Sequence, residues 1–184
     1  LLKQLLDVSR KPNSLKEPIH VHEVLTEILQ FVSDQRKNSH IEFLPLLDAE
    51  DDVVVAESDG LKQIFLNCLI NSIDAIGEDS RQKNSWIRVS TERIAEGLED
   101  SCLQVTITDN GNGIDDADID NVFDPFFTRK EPGKGTGLGL SVSHSLVESI
   151  GGTIRLEKNE PIGTCAVIVL PLDTKSTLQE PLDR

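Results

Sequence analysis

The apolar residues of this chain follow two different periods, and the way these periods alternate along the sequence limits the fold. Val, Leu and Ile recur at helical spacing over 21–32, and similar patterns over 60–76 and 138–150 predict two further amphipathic helices. Short β-branched or alternating runs predict six strands: HIEFLPL, DVVVAE, WIRVSTERI, CLQVTITD, TIRLEK and TCAVIVLPL. Because several strands follow one another with short links, we expect an α+β fold, a two-layer sandwich with helices on one face of one sheet.

Segments of different composition divide the chain. Residues 1–10, LLKQLLDVSR, look like the end of an amphipathic helix, and residues 11–18, with two prolines, predict a linker. Residues 19–172 have the pattern of one full domain, and residues 173–184 predict a frayed C-terminal tail. The chain has no methionine and starts with Leu1, so we expect a piece of a longer protein. No long apolar run or signal-peptide layout is present, which leaves membrane attachment of that protein open.

The net charge of −14 restricts the partners of this chain. A nucleic-acid surface needs basic patches, so we expect no nucleic acid to bind. An anionic ligand would need local binding groups such as backbone N–H groups, a helix N-terminus, a metal ion or a small basic cluster. Cys68, Cys102 and Cys165 are far apart and odd in number, which fits core thiols in a reducing compartment.

The helix predicted over 60–76 carries an unusual polar stripe. Gln63, Asn67, Asn71 and Asp74 fall within about 80° of one another, beside an apolar face. Asparagine is a mediocre helix former, and solvated faces usually carry Lys, Glu and Arg instead. An amide oxygen is also a hard ligand that suits Mg²⁺. The stripe is therefore either a solvent-facing surface or a magnesium-binding one, and its composition leaves both open.

One predicted strand ends in the sequence VTITDNGNGID. Asp109 leaves that strand and is followed by Gly111 and Gly113. A carboxylate at such a place can point into a cleft, while the glycines let a ligand approach the backbone closely. The alternative is an ordinary Asp-Asn-Gly turn.

Apolar and basic residues cluster in NVFDPFFTRKEPGKG, against an acidic background. The cluster contains Phe123, Phe126, Phe127, Arg129, Lys130 and Lys134. Apolar anchors followed by a basic segment with Gly and Pro predict a loop that is pinned at one end and closes over an anion. The alternative is an ordinary surface loop.

Four glycines occupy every second position next to the predicted third helix: Gly133, Gly135, Gly137 and Gly139. The segment fits neither the GxxxxGK[ST] loop nor the GxGxxG dinucleotide fingerprint. Glycines before a helix nevertheless offer free N–H donors and the positive end of the helix dipole to a phosphate chain. The pattern therefore favours a phosphate-bearing ligand.

The order of these motifs resembles that of the GHKL ATPase superfamily, most closely the ATP-binding catalytic domain of bacterial sensor histidine kinases. NCLINSIDA is similar to the N box, DNGNGI to the G1 box, VFDPFFTRK to the F box, GKGTGLGLS to the G2 box and GTCAVIVLP to the closing strand. The similarity covers residues 19–172 and is nearest the nitrogen-regulator-type and PAS-linked kinases. It implies the Bergerat fold, an α/β sandwich with a mixed, mostly antiparallel sheet.

The resemblance implies a role for each motif in binding ATP. Asn71 should coordinate Mg²⁺ that bridges the ATP phosphates, with Asn67 beside it. Asp109 should accept a hydrogen bond from the adenine amino group, and Gly113 should line the base pocket. Asp74 is expected on the adenine or ribose side.

The resemblance also assigns the second half of the motif set. Lys130 and a lid over 128–136 should cover the phosphates, the backbone of 135–139 should contact the phosphate chain, and Thr164 should support the adenine through water. The full ATP-binding set that the resemblance implies, with Asn71 as the magnesium ligand, is Asn67, Asn71, Asp74, Asp109, Gly111, Gly113, Ile114, Phe126, Lys130, Gly135, Thr136, Gly137, Leu138, Gly139, Leu140 and Thr164.

Two departures from the superfamily bear on the chemistry. ATP-hydrolysing relatives place a glutamate four residues before the magnesium-binding asparagine, whereas this chain has Asn67, which cannot deprotonate water. This favours a kinase over an ATPase.

The phosphoacceptor histidine is also missing, because His22 lacks the following proline of an H box and lies too close to the N box. We interpret His22 as a helix surface residue and expect the acceptor upstream.

The resemblance implies a protein-histidine kinase that binds Mg-ATP and transfers the γ-phosphoryl to a histidine. The expected partners are its own dimerisation and phosphoacceptor domain and the receiver domain of a response regulator, within a homodimeric parent. The domain would be cytoplasmic, with the parent either membrane-anchored or soluble, and this segment alone should bind nucleotide without phosphorylating itself. Two alternatives stay open: an anti-sigma-factor-type serine kinase and an ATPase that acts as a conformational clamp.

Overall fold

The structure is a computed structural model that describes residues 15–35, 40–77, 84–96, 100–131 and 135–173. The helices of these residues are α1 (Val21–Gln35), α2 (Ser58–Ile76), α3 (Asp116–Ile119) and α4 (Gly139–Ile150). The strands are β1 (Glu17–His20), β2 (Ile41–Leu47), β3 (Val53–Ala56), β4 (Ser85–Glu96), β5 (Asp100–Asp109), β6 (Thr153–Lys158) and β7 (Thr164–Pro171). The three helices and six strands predicted from periodicity are confirmed, and β1 and the short α3 complete the set.

Five strands form the main sheet in the order β2-β4-β5-β7-β6. Strand β2 runs parallel to β4, and the remaining pairs of neighbours are antiparallel. A parallel pair needs a long crossover connection, which β3 and α2 supply here. Strands β1 and β3 form a separate antiparallel pair. The expected mixed, mostly antiparallel sheet is therefore confirmed.

The main core lies between the helices and one face of the sheet. The six residues whose spacing predicted α1 are all buried: Val21, Val24, Leu25, Ile28, Leu29 and Val32. From α2, Phe65 packs into the same cluster as Ile87 of β4 and Ile107 of β5. Each such side chain stabilises the fold by about 1.5–3 kcal/mol through its burial. No helix in the described residues combines the length and apolar character needed to cross a bilayer.

The three cysteines form no disulfide bond, as their spacing predicted. Cys68 lies in the main core, where burial raises the pKa of its thiol to about 12. Cys102 is buried on the opposite face of the sheet, against Val167 and Val169. Cys165 is only partly buried, and its pKa is also raised by burial. Protonated thiols of this kind are weak nucleophiles, which fits a packing role.

The chain enters and leaves the domain beside β3. In β1, Ile19 is opposite Val54 of β3. After β7, the backbone N–H of Asp173 donates to the carbonyl oxygen of Val53 at 2.8 Å. The entry and the exit of the described domain are thus both hydrogen-bonded to the same strand.

Two residues of the linker predicted over 11–18 lie in a strand. These residues, Glu17 and Pro18, lie in β1, because their backbone pairs with β3. Proline is tolerated there because β1 is an edge strand. The helix end predicted over 1–10, the rest of the linker and the tail from 174 lie outside the described residues.

His22 is not the helix surface residue that the sequence predicted. Its Nε2 lies 2.9 Å from Thr91 Oγ1 of β4, and its backbone N–H donates to Asp52 Oδ2 at 2.9 Å. The same buried carboxylate lies 2.8 Å from His20 Nδ1. These contacts fasten the start of α1 to β4 and to the β2–β3 connection. The prediction was wrong because the spacing within one helix does not reveal which loops pack on its first turn.

Candidate functional site

A cavity of about 660 Å³ opens between α2, the end of β5 and the start of α4. Its size is typical of a small-molecule site. Of the sixteen predicted ATP-binding residues, thirteen line it: Asn67, Asn71, Asp74, Asp109, Gly113, Ile114, Lys130, Gly135, Thr136, Gly137, Gly139, Leu140 and Thr164. The fold therefore brings together motifs that are separated by up to 97 positions in the sequence, from 67 to 164.

Gly111, Phe126 and Leu138 do not line the cavity. The N–H of Gly111 donates to Asp109 Oδ1 at 2.9 Å, and the N–H of Phe126 donates to the carbonyl oxygen of Gly137 at 2.9 Å. Leu138 directly precedes α4. Each of the three lies next in sequence to a residue that does line the cavity.

Asp109 forms the buried end of the cavity, where β5 stops. Its Oδ1 accepts the backbone N–H of Gly111 at 2.9 Å and that of Thr164 at 3.2 Å. Burial raises the pKa of this carboxyl, which is 2% exposed, while hydrogen bonds from Gly111, Ser72 and Thr164 oppose the rise. Donors from three separate segments thus fix the orientation of the carboxylate.

The turn before β7 packs directly on Asp109. Asn159 Nδ2 donates to the carbonyl oxygen of Asp109 at 3.0 Å. Gly163 has φ +123°, and a Cβ at this position would lie 2.0 Å from the same carbonyl oxygen. Neither residue was predicted for the site, although the Pro and Gly of NEPIGT are turn signals directly before Thr164.

Replacing Gly163 with alanine is expected to destabilise the domain by about 3–5 kcal/mol, because the new methyl group overlaps the Asp109 backbone and φ is strained. Gly77 is the matched control: it also has positive φ, at +76°, but no atom lies within 4 Å of its added Cβ. Gly77→Ala should cost about 1–2 kcal/mol. Urea unfolding measures both, and equal losses would contradict the close approach at Gly163.

The polar stripe of α2 faces the cavity at three of its four positions. Asn67 Nδ2 donates to the carbonyl oxygen of Gly139 at 2.9 Å and to Ser143 Oγ at 3.1 Å, so it fastens α2 to α4. Asn71 and Asp74 follow on the same face and line the cavity. The solvent-facing interpretation is therefore wrong for Asn67, which is 9% exposed.

Lys130 reaches across the cavity to α2. Its Nζ lies 2.5 Å from Asp74 Oδ2 and 3.4 Å from Asn71 Oδ1. A carboxylate oxygen and an amide oxygen on one helix face thus share a single cation. The resemblance predicts Asp74 on the adenine or ribose side, and in this structure its carboxylate is paired with the lysine predicted to cover the phosphates.

The phenylalanine-containing loop is anchored by two of its three aromatic rings. Phe123 packs against the main core, with its ring centroid 5.2 Å from that of His144. Phe127 lines the cavity. The anchor role expected of Phe126 is wrong, because the residue is 73% exposed, and its backbone N–H donates to the carbonyl oxygen of Gly137.

The glycine segment leads into the first turn of α4. Gly137 has φ +65°, and a Cβ there would lie 2.4 Å from the backbone carbon of Phe126, so glycine is required. Gly139 and Leu140 begin α4 and line the cavity. The N–H groups of a first helical turn have no partner within the helix, and the helix dipole favours an anion there. Residues 133 and 134, also predicted for this loop, lie outside the described residues.

Arg129 and Asp118 form an ion pair that the sequence analysis did not predict. Arg129 Nε donates to Asp118 Oδ2 at 2.9 Å, and its Nη2 donates to Oδ1 at 2.5 Å. Both residues line the cavity, from the loop and from α3. The basic cluster was visible in the sequence, but nothing distinguished Asp118 among 32 acidic residues.

The charges on the cavity wall do not favour an anion by themselves. The aspartates among the described lining residues are Asp74, Asp109, Asp115 and Asp118. The cations among them are Arg129 and Lys130, and each is bonded to one of these aspartates. An anionic ligand at this wall therefore depends on backbone N–H groups and on a cation that it brings with it.

The fold and the cavity define a nucleotide-binding α/β sandwich. A fixed, buried carboxylate lines the cavity, together with a helix N-terminus, an amide oxygen and a lysine. The family described as "Histidine kinase-, DNA gyrase B-, and HSP90-like ATPase" matches residues 56–174, and the chain belongs to this family.

Several sensor kinases are similar to the chain. The signal transduction histidine-protein kinase AtoS of Escherichia coli K12 is 32% identical over 173 residues, which are 94% of this chain and 27% of AtoS. The two-component sensor PprA of Pseudomonas aeruginosa is 41% identical over 124 residues, which are 65% of this chain and 13% of PprA. The nucleotide-free catalytic domain of histidine kinase ThkA matches with a TM-score of 0.72 and 27% identity, over 85% of this chain and 95% of that chain.

These similarities confirm the resemblance to the ATP-binding catalytic domain of histidine kinases and the fold predicted from it. They do not favour the serine-kinase or the clamp alternative. The chain spans about a quarter of the length of AtoS and a smaller share of PprA.

Proposed function

We propose that this chain is the catalytic domain of a two-component sensor histidine kinase. It binds Mg-ATP and transfers the γ-phosphoryl to a histidine on the dimerisation domain of the same homodimeric protein. The bond from the γ-phosphorus to the bridging oxygen breaks, a phosphorus–nitrogen bond to the imidazole forms, and ADP leaves. The receiver domain of a response regulator then accepts the phosphoryl group. The domain works in the cytoplasm, with the parent either membrane-anchored or soluble.

One observation supports this proposal most: the buried Asp109 carboxylate at the closed end of the cavity. The backbone N–H groups of Gly111 and Thr164 hold one of its oxygens, so its acceptor orientation is set before a ligand arrives. An amino group of a planar base is a suitable donor to such a carboxylate. Gly113 and Ile114 line the same region and supply backbone and apolar surface for the base.

The open end of the cavity suits a triphosphate with a divalent cation. Asn71 Oδ1 already faces a cation, the Lys130 ammonium at 3.4 Å, so its lone pairs point into the cavity. Mg²⁺ prefers oxygen ligands and usually takes most of them from phosphate and water. We assign Asn71 as its protein ligand. Bound Mg²⁺ would neutralise charge on the terminal phosphates during transfer.

The protein's own contribution to transfer is positioning and charge. The backbone from Gly135 to Gly139 and Leu140 at the start of α4 would hold the phosphate chain, because first-turn N–H groups bind anions. Lys130 would exchange its contact with Asp74 for one with the terminal phosphates. Phosphoryl transfer needs little more than this from the enzyme, since the attacking imidazole is itself the nucleophile.

The environment of Asn67 supports transfer to a side chain rather than hydrolysis. Its amide donates to Gly139 and Ser143, so it serves as a brace between α2 and α4. An amide cannot take a proton from water. A water-activating glutamate, which ATP-hydrolysing relatives have at this position, is therefore replaced by a structural side chain.

The proposal is tested with γ-labelled ATP and Mg²⁺. The chain should bind ATP but stay unlabelled, because no histidine is found among the described residues that line the cavity. Added dimerisation domain of the parent should take up label in the acid-labile form that marks phosphohistidine. Acid-stable label on serine, or steady phosphate release that Asn67→Ala abolishes, would contradict the proposal.

A further inference from the structure

We infer that Arg129 is a positioning residue: through its two-point ion pair with Asp118, it holds Lys130 at the phosphate end of the cavity. The inference rests on the proposed function, because it concerns how the same site distinguishes a triphosphate from a ligand without phosphates. It assigns a role to Arg129, which belongs to the F-box motif but had no assigned function, and to Asp118, which no motif of the sequence identified. Its basis is the geometry of one dipeptide, Arg129–Lys130, which we call the strap.

The strap joins two helices that line the cavity, α3 and α2. Arg129 donates to Asp118 of α3 at 2.9 and 2.5 Å. The next residue, Lys130, lies 2.5 Å from Asp74 of α2 and 3.4 Å from Asn71. All these side chains line the same cavity. Consecutive residues are thus bonded to separate helices, so the position of Lys130 depends on where Arg129 is held.

The Asp118 end of the strap is the firmer one. The Asp118 side chain is 9% exposed, although the Arg129 side chain is 73% exposed. A nearly buried carboxylate retains its partner, because losing it would leave a charge without compensation. The guanidinium also binds both carboxylate oxygens, which fixes its orientation as well as its distance. Asp118 and Asp115 both favour the charged form of Arg129 and raise its pKa.

The Lys130 end is the exchangeable one. Lys130 and Asp74 are each more than one-third exposed, and they make a single contact rather than two. Exposed pairs of this kind are weak, so an incoming phosphate competes with Asp74 for the ammonium group. A firm contact at Arg129 and a weak one at Lys130 let the lysine change partners while its backbone stays in place. This arrangement selects for ligands that carry phosphates at the open end of the cavity.

The test compares ATP with adenosine, which lacks phosphates, by calorimetric titration of the intact chain. Arg129→Ala should weaken ATP binding by about fivefold and leave adenosine binding unchanged. The loss should vanish when Arg129→Ala is made in a Lys130→Ala background, because Arg129 acts through that lysine. Arg155→Ala is the matched control, since Arg155 is a half-exposed arginine paired with Glu157 and lies outside the cavity wall.

Two further variants test the ion pair, one at Asp118 and one at Arg129. Asp118→Asn should reproduce the ATP-specific loss of Arg129→Ala, and Arg129→Lys, which keeps the charge but loses the two-point contact, should give a partial loss. If Arg129→Ala weakened ATP binding equally in the unmodified chain and in the Lys130→Ala background, Arg129 would contact the phosphates directly. That result would overturn the inference. A parallel loss of adenosine binding would overturn it too, as an effect on cavity shape. Failure of the unmodified chain to bind ATP would overturn the proposed function as well.

Discussion

Replacing Asn71 with alanine is expected to make ATP binding independent of Mg²⁺ and to lower phosphotransfer by the parent kinase about 10²–10³-fold. The reason is that Asn71 Oδ1 is the amide oxygen that faces a cation inside the cavity. Without it, the metal loses its contact with α2, and the terminal phosphate loses its alignment. Titration of the chain with ATP in the presence of Mg²⁺ or of a chelator measures the first effect, and phosphohistidine formation measures the second.

Two variants control for damage to α2. Asn71→Asp keeps an oxygen ligand at the same place and should retain Mg²⁺ dependence. Gln63→Ala removes a side chain from the same polar stripe, two turns earlier and outside the cavity wall, and should change neither measurement. If Asn71→Ala bound ATP with undiminished Mg²⁺ dependence, the assignment of the metal ligand would be wrong.

Replacing Asp109 with asparagine should weaken ATP binding by about 1.5–3 kcal/mol, on the order of 10- to 150-fold. An amide at this position can still accept the N–H groups of Gly111 and Thr164 with its oxygen, so the domain should stay folded. Its NH₂ group would then oppose the amino group of adenine. The preference for ATP over GTP should fall accordingly, because the amide can donate to the carbonyl group of guanine.

The pH dependence of ATP affinity distinguishes the Asp109 carboxylate from the others that line the cavity. Burial raises the pKa of the Asp109 carboxyl above that of an ordinary aspartate, and adenine binding requires the charged form. ATP affinity should therefore fall on acidification, starting at a higher pH than for an ordinary aspartate. Asp109→Asn should lose that part of the profile, whereas Asp115→Asn, at an exposed position on the same wall, should keep it. Identical profiles for all three proteins would remove Asp109 from adenine recognition.

Sequence patterns predicted those features of the molecule that depend on residues close together in the sequence. The six apolar positions of α1 share a helical period, and the motif around Asp109 is contiguous, so both could be recognised in the sequence. The order of four motifs and the closing strand was sufficient to predict the fold and thirteen of the residues that line the cavity.

Contacts between distant segments could not be predicted in this way. Gly163 is required because its backbone meets Asp109, 54 positions earlier, at a distance that only the folded chain defines. Asp118 looks like any other surface acid until α3 buries it beside the loop that carries Arg129. His22 was misjudged for the same reason, because its partners come from β4 and from the loop before β3.

The attachment of both ends of the described domain to β3 has a mechanical consequence. Ile19 lies opposite Val54, Asp173 bonds to Val53, and only one residue, Glu57, separates β3 from the helix that carries Asn71 and Asp74. The segments that flank the ATP-binding unit therefore contact the strand that leads into α2. A displacement of either flanking segment would reach α2 through β3, and on the exit side it would also reach the main sheet, because Leu172 follows β7 and its N–H donates to the carbonyl oxygen of Ser101 in β5 at 3.1 Å.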